Sequence, residues 1–337
     1  MSDSDKNTEN SDLSQTRICV ERILPEHEEH VRSIRESGLH HDDQQKLMAA
    51  FYARKLWPAD SKIRIGFLSD GKKIRRTTMA ELQHGKEHEP VDPLQKNSYK
   101  VPVVEMVKKV VRERIIPLVN LDIDFVDNPK DANVRVDFKP DGGAWSLVGT
   151  DHAKHKSGAT INLGWFDVPT TMHEFGHMLG MIHEHQNPRG DTIQWNRKNV
   201  FMWASQTQGW DKKTTIKNIL NKYKLNAING SSFDPNSIML YFFPAWLTTN
   251  HVGTHQNLRF SGLDVEWITK MYPNGPESPT KFYRAVYDES LEESIAQSKA
   301  EAKGEYGTGN YNYLIYLIVG ILIVAFILWR AKRKRYE

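Results

Sequence analysis

The stretch HEFGHMLGMIHEHQNP, His173 to Pro188, contains four histidines and two glutamates within sixteen residues. Successive residues of an α-helix turn by about 100°, so His173 and His177 share one helix face and both imidazoles can reach one ion. On the same continuous helix, His183 would lie about 9 Å further along the axis and about 120° around it. Gly180 precedes it, and glycine readily adopts the left-handed conformation that ends helices. The spacing therefore predicts a chain reversal at Gly180 and a site where three imidazoles converge.

Three converging imidazoles indicate a zinc site. Neutral imidazoles suit Zn²⁺, and a three-ligand set leaves a coordination position for water, as in catalytic zinc sites. Bound zinc lowers the pKa of its water from about 15.7 towards about 7. Glu174, beside the first histidine, is placed to act as general base and then as general acid toward the leaving amine. A solvated helix face and a structural zinc site are the alternatives, and the latter leaves Glu174 without a purpose.

The sequence resembles the astacin-like metallopeptidases of the metzincin clan over roughly Lys62 to Pro273. The resemblance rests on HEFGHMLGMIHEH, where Glu184 follows the third histidine, and on SIMLY, Ser237 to Tyr241, which matches the family's Met-turn. Upstream, GGAWSLVGTD and TINLGW resemble the family's substrate-side edge strand and the strand before its active-site helix. FSGLDVEWITKMYP resembles its closing helix, for which Ser261 and Asp264 are candidate caps.

The resemblance implies a metzincin-type α+β domain, with a twisted mixed β-sheet, two long helices and a largely irregular C-terminal subdomain. It implies that three residues bind one catalytic zinc ion: His173, His177 and His183. Tyr241 would be a switchable further ligand that stabilises the oxyanion. Met239 would form the apolar floor beneath the metal, and Glu184 would anchor the mature N-terminus or support the site from below. AWSLVG, equally compatible with a plain strand, would pair with an extended peptide substrate.

The chain departs from secreted astacins in two respects. Its single cysteine, Cys19, cannot form an internal disulfide, so packing has to stabilise the domain. The family's activation-segment motif does not occur in residues 1–60, which leaves the role of that region open. The remaining histidine pairs lie in loop-like sequence and are predicted to be solvated: His84 with His88, His152 with His155, and His251 with His255.

An uncharged run of seventeen residues, YLIYLIVGILIVAFILW, extends from Tyr313 to Trp329. As a helix it would cover roughly 26 Å, at the short end of what a bilayer core of about 30 Å demands. Aromatic residues at both ends suit the membrane interfaces. A buried core helix is the alternative, but apolar runs this uniform are rare in soluble chains. The run predicts a single C-terminal transmembrane helix.

The rest of the chain divides around these two features. Ile63, Ile65 and Phe67 alternate as in a strand, the first of the main domain, and Val103, Val107 and Val110 recur at helical spacing before Pro117. The predicted segments are a disordered N-terminus (1–15), a helical extension of unknown role (16–60), the peptidase domain (61–273), a stalk (274–312), the transmembrane helix (313–329) and a basic tail (330–337).

Targeting signals give opposing indications. The basic tail RAKRKRYE favours the cytoplasmic side of a membrane, which would place the peptidase domain on the other side. The polar, acidic N-terminus, however, contains no apolar secretory signal that would carry the domain across. Translocating a long N-terminal domain without a signal is the harder event, so we predict a tail-anchored protein whose catalytic domain faces the cytosol. The net charge of +3, without a basic stripe interleaved with aromatics, excludes nucleic acid as an implied partner.

These features predict a membrane-tethered zinc endopeptidase that hydrolyses protein or peptide substrates through a metal-activated water, with Glu174 as general base. The main alternative is a non-catalytic, zinc-stabilised membrane adaptor that binds extended peptides along the edge strand. In a third hypothesis, residues 1–60 recruit partners and anchoring is the main function. Glu174 is present along with every ligand, which favours the enzyme. The sequence specifies neither the natural substrate nor the oligomeric state.

Overall fold

A computed structural model describes residues 20–21, 55–59, 61–82, 91–96, 98–187, 193–222 and 233–273. The predicted disordered N-terminus, stalk, transmembrane helix and basic tail lie outside these residues. Within the described ranges, no helix has the length and apolarity to cross a bilayer.

Short strands form two sheets. Those described are β1 (Val20–Glu21), β2 (Lys62–Phe67), β3 (Arg75–Arg76), β4 (Asp122–Phe125), β5 (Val134–Asp137), β6 (Trp145–Ser146), β7 (Ile161–Asn162) and β8 (Trp165–Phe166). Six of them form one sheet in the order β1-β6-β7-β5-β2-β4, and β3 pairs with β8. Among these strand pairs only β6 and β7 are antiparallel to each other, while all other described pairs are parallel. The predicted mixed sheet is confirmed.

Helices account for most of the remaining regular structure. The described α-helices are α1 (Met79–Leu82), α2 (Pro93–Lys96), α3 (Val103–Val110), α4 (Asp151–Lys154), α5 (Val168–Met178), α6 (Arg197–Gln208), α7 (Lys212–Thr215) and α8 (Gly262–Met271). The 3₁₀ turns are Ser98–Lys100, Ile116–Leu118, Pro129–Asp131, Pro140–Gly142, Glu184–Gln186 and Ala245–Leu247, and the π-helical turns are Val111–Ile115 and Ile216–Leu220. Through the first π-helical turn, α3 continues to Leu118, one residue beyond the predicted stop at Pro117.

The main hydrophobic core joins the sheet to the helices α3 and α5. Inward residues of β2 and β5, among them Ile65 and Val136, pack in one cluster with Val107 of α3 and Phe175 of α5. Every residue of α5 is buried, so this helix runs through the interior rather than along the surface. A helix enclosed on all sides holds its side chains in fixed rotamers, which suits a site that needs defined geometry.

The strand predicted over residues 144–149 is only two residues long. Gly143 and Gly149 flank β6, with φ angles of 65° and 53° that side-chain-bearing residues rarely adopt. These left-handed positions bend the chain at both ends and confine the ladder to Trp145–Ser146. The predicted strand over residues 159–165 is likewise divided, into β7 and β8.

The N-terminal strand β1 was not predicted. Val20–Glu21 lies within the segment predicted to be helical, and it pairs in parallel with Trp145–Ser146 at the edge of the main sheet. The predicted first strand of the domain, β2, is therefore preceded by a strand contributed from much earlier in the chain.

The C-terminal part has its own apolar cluster. It contains Val200 and Trp203 of α6 together with Tyr241, Phe243 and Leu247. Between residues 233 and 261 the chain is largely irregular, as predicted, whereas the twelve-residue helix α6 was not predicted. The predicted cap of α8 is confirmed: Ser261 and Asp264 form a reciprocal capping box.

A buried ion pair joins the π-helical turn after α3 to Asp92, which directly precedes α2. Nε and Nη2 of Arg114 donate to the two carboxylate oxygens of Asp92 at 2.7 and 2.9 Å, and these side chains are 4% and 0% exposed. Removing one partner of such a pair leaves a charge in the interior, which costs about 3–5 kcal/mol.

We expect Asp92→Ala to lower the free energy of unfolding by about 3–5 kcal/mol in urea denaturation, because buried Arg114 then loses the carboxylate that accepts from both its Nε and its Nη2. Asp70→Ala is the matched control, since its ion pair with Lys72 is exposed on both sides, at 61% and 83%. The control should unfold at the wild-type urea concentration. Equal midpoints for both variants would contradict a stabilising role for the buried pair.

Candidate metal centre

The N-terminus of α5 is fixed by its own cap residue and by side chains from two other segments. The Asp167 carboxylate accepts the Thr170 N–H at 2.7 Å and the Thr77 hydroxyl at 2.7 Å. The Gln95 side-chain oxygen accepts the Val168 N–H at 2.8 Å. These bonds satisfy N–H groups that a helix start leaves unpaired, and they set the position of the helix that carries the first two histidines.

The three predicted zinc ligands come together in the interior. His173 and His177 lie one turn apart on α5, and His183 returns to them from the following turn. One nitrogen from each ring lies within 4.8 Å of the others. All three side chains are buried, so a cation at their centre would be shielded from competing water.

Hydrogen bonds to backbone carbonyls orient two of these rings. Nδ1 of His173 donates to the Ile238 carbonyl at 2.8 Å, and Nδ1 of His177 donates to the Met181 carbonyl at 2.9 Å. Since a carbonyl oxygen only accepts, both Nδ1 atoms carry the proton, and both Nε2 atoms present lone pairs to the centre. This arrangement is typical of metal-ligating histidines.

The Nε2 atoms show that the pocket fits a cation. Nε2 of His177 and Nε2 of His183 are 3.0 Å apart, and Nε2 of His173 is buried with no hydrogen-bond partner in the part of the chain described. Two nitrogens bound to one tetrahedral zinc at about 2.0–2.1 Å lie about 3.3 Å apart. Converging lone pairs at this separation are stabilised by a shared positive ion.

Burial keeps the imidazoles in the ligand form. Desolvation lowers the pKa of His173 to about 4. It also places the pKa values of His177 and His183 well below the usual value, and the neighbouring imidazoles lower them further. At neutral pH all three rings are therefore uncharged, as zinc ligation requires.

The chain reversal occurs at the predicted glycine. Gly180 has φ 95°, and its N–H donates to the His177 carbonyl at 2.8 Å. The Met181 N–H then donates to the Gly176 carbonyl at 3.0 Å, which turns the chain back along α5. His183 follows directly and precedes the 3₁₀ turn Glu184–Gln186.

The segment Ser237–Tyr241 forms a turn below the histidines. A Cβ on Gly176 would lie 2.8 Å from the Met239 sulfur, so the methionine packs against the helix between the first two ligands. The Met239 carbonyl accepts the Glu184 N–H at 3.0 Å. Met239 thus contacts both α5 and the turn after His183, and its role as an apolar floor stays a prediction.

Glu184 accepts two hydrogen bonds in the turn that follows His183. Its Oε1 atom accepts the Asn187 side-chain N–H and the Asp234 backbone N–H, both at 2.8 Å. Desolvation, reinforced by the nearby Asp234 carboxylate, raises the pKa of Glu184 well above its usual value. The two roles implied for this residue, anchoring the mature N-terminus or supporting the site from below, stay predictions.

Of the two predicted catalytic residues, Tyr241 lies against the imidazole cluster. The Tyr241 hydroxyl makes a short contact with Nε2 of His183, and their rings are 4.3 Å apart between centroids. Glu174 follows His173 on α5 and is fully buried. The structure therefore places a phenol against the imidazole cluster, and the Glu174 carboxylate is buried on the helix that also carries His173.

An additional histidine packs behind the site. His185 is buried, its Nε2 lies 2.9 Å from the Asn218 carbonyl, and its ring centroid lies 4.9 Å from that of Tyr241. Burial lowers its pKa to about 3. Sequence reasoning gave this residue no role, although its place two residues after His183 marks it as part of the same turn.

The prediction for His152 was wrong. This residue is fully buried, its Nε2 lies 2.8 Å from the Leu147 carbonyl, and desolvation lowers its pKa to about 3. The short helix α4 turns it inward, which loop-like sequence does not reveal. His155 is partly buried, whereas His251 and His255 are exposed as predicted. His84 and His88 lie outside the described residues.

Comparison with known proteins shows which family the domain is similar to. Residues 119–273 match the peptidase family described as Astacin. Zinc metalloproteinase nas-4 of Caenorhabditis elegans is 28% identical over 147 residues, or 40% of this chain and 42% of that protein. The chain thus matches less than half the length of this curated relative. A structure of myroilysin is similar with a TM-score of 0.51 and 27% identity, covering 66% of this chain and 97% of that chain.

Residues 119–273 are therefore similar to the Astacin family, and the α+β fold with a mixed sheet is the one predicted. The family uses one catalytic zinc ion, and the three histidines supply a donor set suited to it.

The hydrogen bonds and burial predict the protonation of the first ligand. In metal-free protein at about pH 5.5 we expect His173 to be neutral with the proton on Nδ1, because its pKa is about 4. Histidine in water, with a pKa near about 6.5, would be mostly charged at this pH. Imidazole ¹⁵N chemical shifts distinguish the two tautomers and the charged form, and His173→Gln assigns the signal. A ring that charges at the pKa of free histidine would contradict the buried ligand geometry.

Proposed function

We propose that the chain is a membrane-tethered zinc endopeptidase. The convergence of three buried imidazoles within an astacin-family domain carries this proposal. Two of the rings are locked by backbone carbonyls in the tautomer that ligates through Nε2. When bound, zinc supplies a Lewis acid that lowers the pKa of a water molecule towards about 7.

Glu174 is the proposed general base. It accepts a proton from the attacking water at its carboxylate and then passes that proton to the amine that leaves the peptide bond. Its place directly after His173 on a fully buried helix supports this role, since little bulk water competes for the proton there. A positioned base of this kind contributes about 10²–10⁴-fold to the rate.

Tyr241 is the proposed donor to the oxyanion. Its hydroxyl already reaches the ligating edge of the His183 ring. From that position an O–H can donate to the negative oxygen that develops on the attacked carbonyl. The ring is held by Phe243, 5.8 Å away between centroids, and by His185.

The edge of the main sheet is the proposed binding site for the substrate backbone. Trp145–Ser146 pairs with Val20–Glu21, an extended segment from a distant part of the same chain. That pairing supports the edge as an acceptor of extended peptides, which bind to such strands through main-chain hydrogen bonds. A peptide substrate would take the place of β1. The same edge would serve a non-catalytic adaptor, so activity has to decide between the two functions.

We expect Glu174→Gln to bind zinc with wild-type affinity and to lose about 10²–10⁴-fold in kcat, because the amide keeps the shape of the side chain but accepts no proton. Release of new N-termini from unfolded protein substrates measures cleavage, and chelator addition should abolish it in the wild type. Glu105→Gln is the matched control, since that side chain is 49% exposed on α3 and should cleave normally.

Undiminished cleavage by Glu174→Gln would remove the assigned base. A zinc-loaded wild-type protein that binds extended peptides but cleaves none would favour the adaptor. The two results separate an error in the mechanism from an error in the function.

Membrane tethering rests on the uncharged run 313–329, which lies outside the described residues. We propose that this run anchors the chain with the catalytic domain in the cytosol. Protease added to intact vesicles that carry the full chain should then digest the domain and leave a small protected C-terminal fragment. Protection of the whole domain would reverse the orientation, and release of the chain by alkaline washing would exclude the anchor.

A further inference from the structure

We propose that Trp57 and Tyr272 are positioning residues for the metal centre: they hold the end of α5 and the turn that returns His183. The inference rests on the proposed function, since His183 matters here as a zinc ligand. The side chains of both residues donate to backbone carbonyls at the end of α5, so both residues act through the backbone.

Two carbonyls at the end of α5 carry this inference. The last carbonyls of a helix have no partner within it and need donors from elsewhere. The Trp57 indole N–H donates to the Met178 carbonyl at 2.8 Å, and the Tyr272 hydroxyl donates to the Leu179 carbonyl at 2.7 Å. The Tyr272 oxygen also accepts the Trp57 backbone N–H at 3.2 Å. Trp57 and Tyr272, which are hydrogen-bonded to each other, therefore connect both carbonyls to segments remote in sequence.

Tyr272 and the segment that carries Trp57 also pack around the reversal at Gly180. A Cβ on this glycine would lie 2.9 Å from Leu56 Cδ2 and 3.9 Å from the Tyr272 oxygen. The turn therefore has packed atoms on its outer side, which limit its movement. Its path sets where Met181 and His183 lie relative to α5, and Met181 supplies the carbonyl that orients His177.

The segment that carries Trp57 is itself anchored. Nζ of Lys55 lies 2.9 Å from the Asp151 carboxylate, and these side chains are 2% and 0% exposed. The Lys55 carbonyl accepts the Thr150 N–H at 2.8 Å. A Cβ on Gly149 would lie 1.8 Å from the same carbonyl, so the two segments approach too closely for any side chain. Gly149 in turn donates its N–H to the His177 carbonyl at 2.9 Å.

These contacts make the segment Lys55–Trp57 part of the structure around the metal, although it precedes the predicted start of the domain. Residues outside the ligand set that orient metal ligands typically change metal affinity by about 10–100-fold when substituted. A loss of that size is expected when the Tyr272 hydroxyl is removed, since one oxygen links Leu179 to Trp57.

The test compares Tyr272→Phe with Tyr99→Phe in the full chain. Both remove a hydroxyl that donates to a backbone carbonyl, but Tyr99 is 47% exposed and donates to Thr77 at 2.6 Å, at the other end of α5. Competition with a chromogenic chelator measures the zinc Kd, and the visible absorption of the Co²⁺-substituted protein reports ligand geometry. We expect Tyr272→Phe to raise the zinc Kd by about 10–100-fold and to shift the Co²⁺ bands, and Tyr99→Phe to leave both unchanged.

Wild-type Kd and Co²⁺ bands in folded Tyr272→Phe would overturn the inference, even if that variant melts at a lower temperature. A wild-type chain that binds no zinc would instead refute the proposed function. If Tyr272→Phe does not fold, Trp57→Phe carries the same test, because it keeps an aromatic ring and removes the indole donor to Met178.

Discussion

The backbone reversal at Gly180 is the constraint on which the rest of the site depends. A straight α5 would carry His183 away from His173 and His177, and no side-chain rotamer could compensate for that separation. The left-handed φ of the glycine turns the chain within a few residues, so that the three rings come within reach of one ion. The burial of α5, the turn beneath it and the contacts around its end all keep that reversal in place.

Burial controls the protonation of the three histidines at the candidate metal centre. The ligating histidines are kept neutral by burial, which leaves their lone pairs for a cation. Below them, Asp264 accepts the Ile238 N–H at 2.8 Å, and burial with the nearby Asp234 carboxylate raises its pKa to about 7. Because the Ile238 carbonyl orients His173, the closing helix α8 is coupled through the backbone of one residue to the first ligand.

The sequence predicted the features that depend on local spacing. The positions of His173, His177 and His183, the turn at Gly180 and the cap at Ser261 all follow from patterns within a dozen residues. Contacts between distant segments were not predictable in this way. Two residues in β1 show no periodicity, and nothing near Trp57 indicates that its indole reaches Met178. The buried His152 was missed for the same reason, since its burial depends on how α4 packs rather than on its neighbours in sequence.

The pairing of β1 with β6 has a consequence for how the edge of the sheet is shared. A strand of two residues makes few hydrogen bonds, so it can detach while the rest of the sheet stays folded. It nevertheless belongs to the same chain, and its return is governed by the effective concentration that the intervening residues impose. Under the proposed function, a substrate peptide would compete with β1 for this edge, and the length and affinity of the peptide, together with the length of the intervening chain, would decide which of the two occupies it.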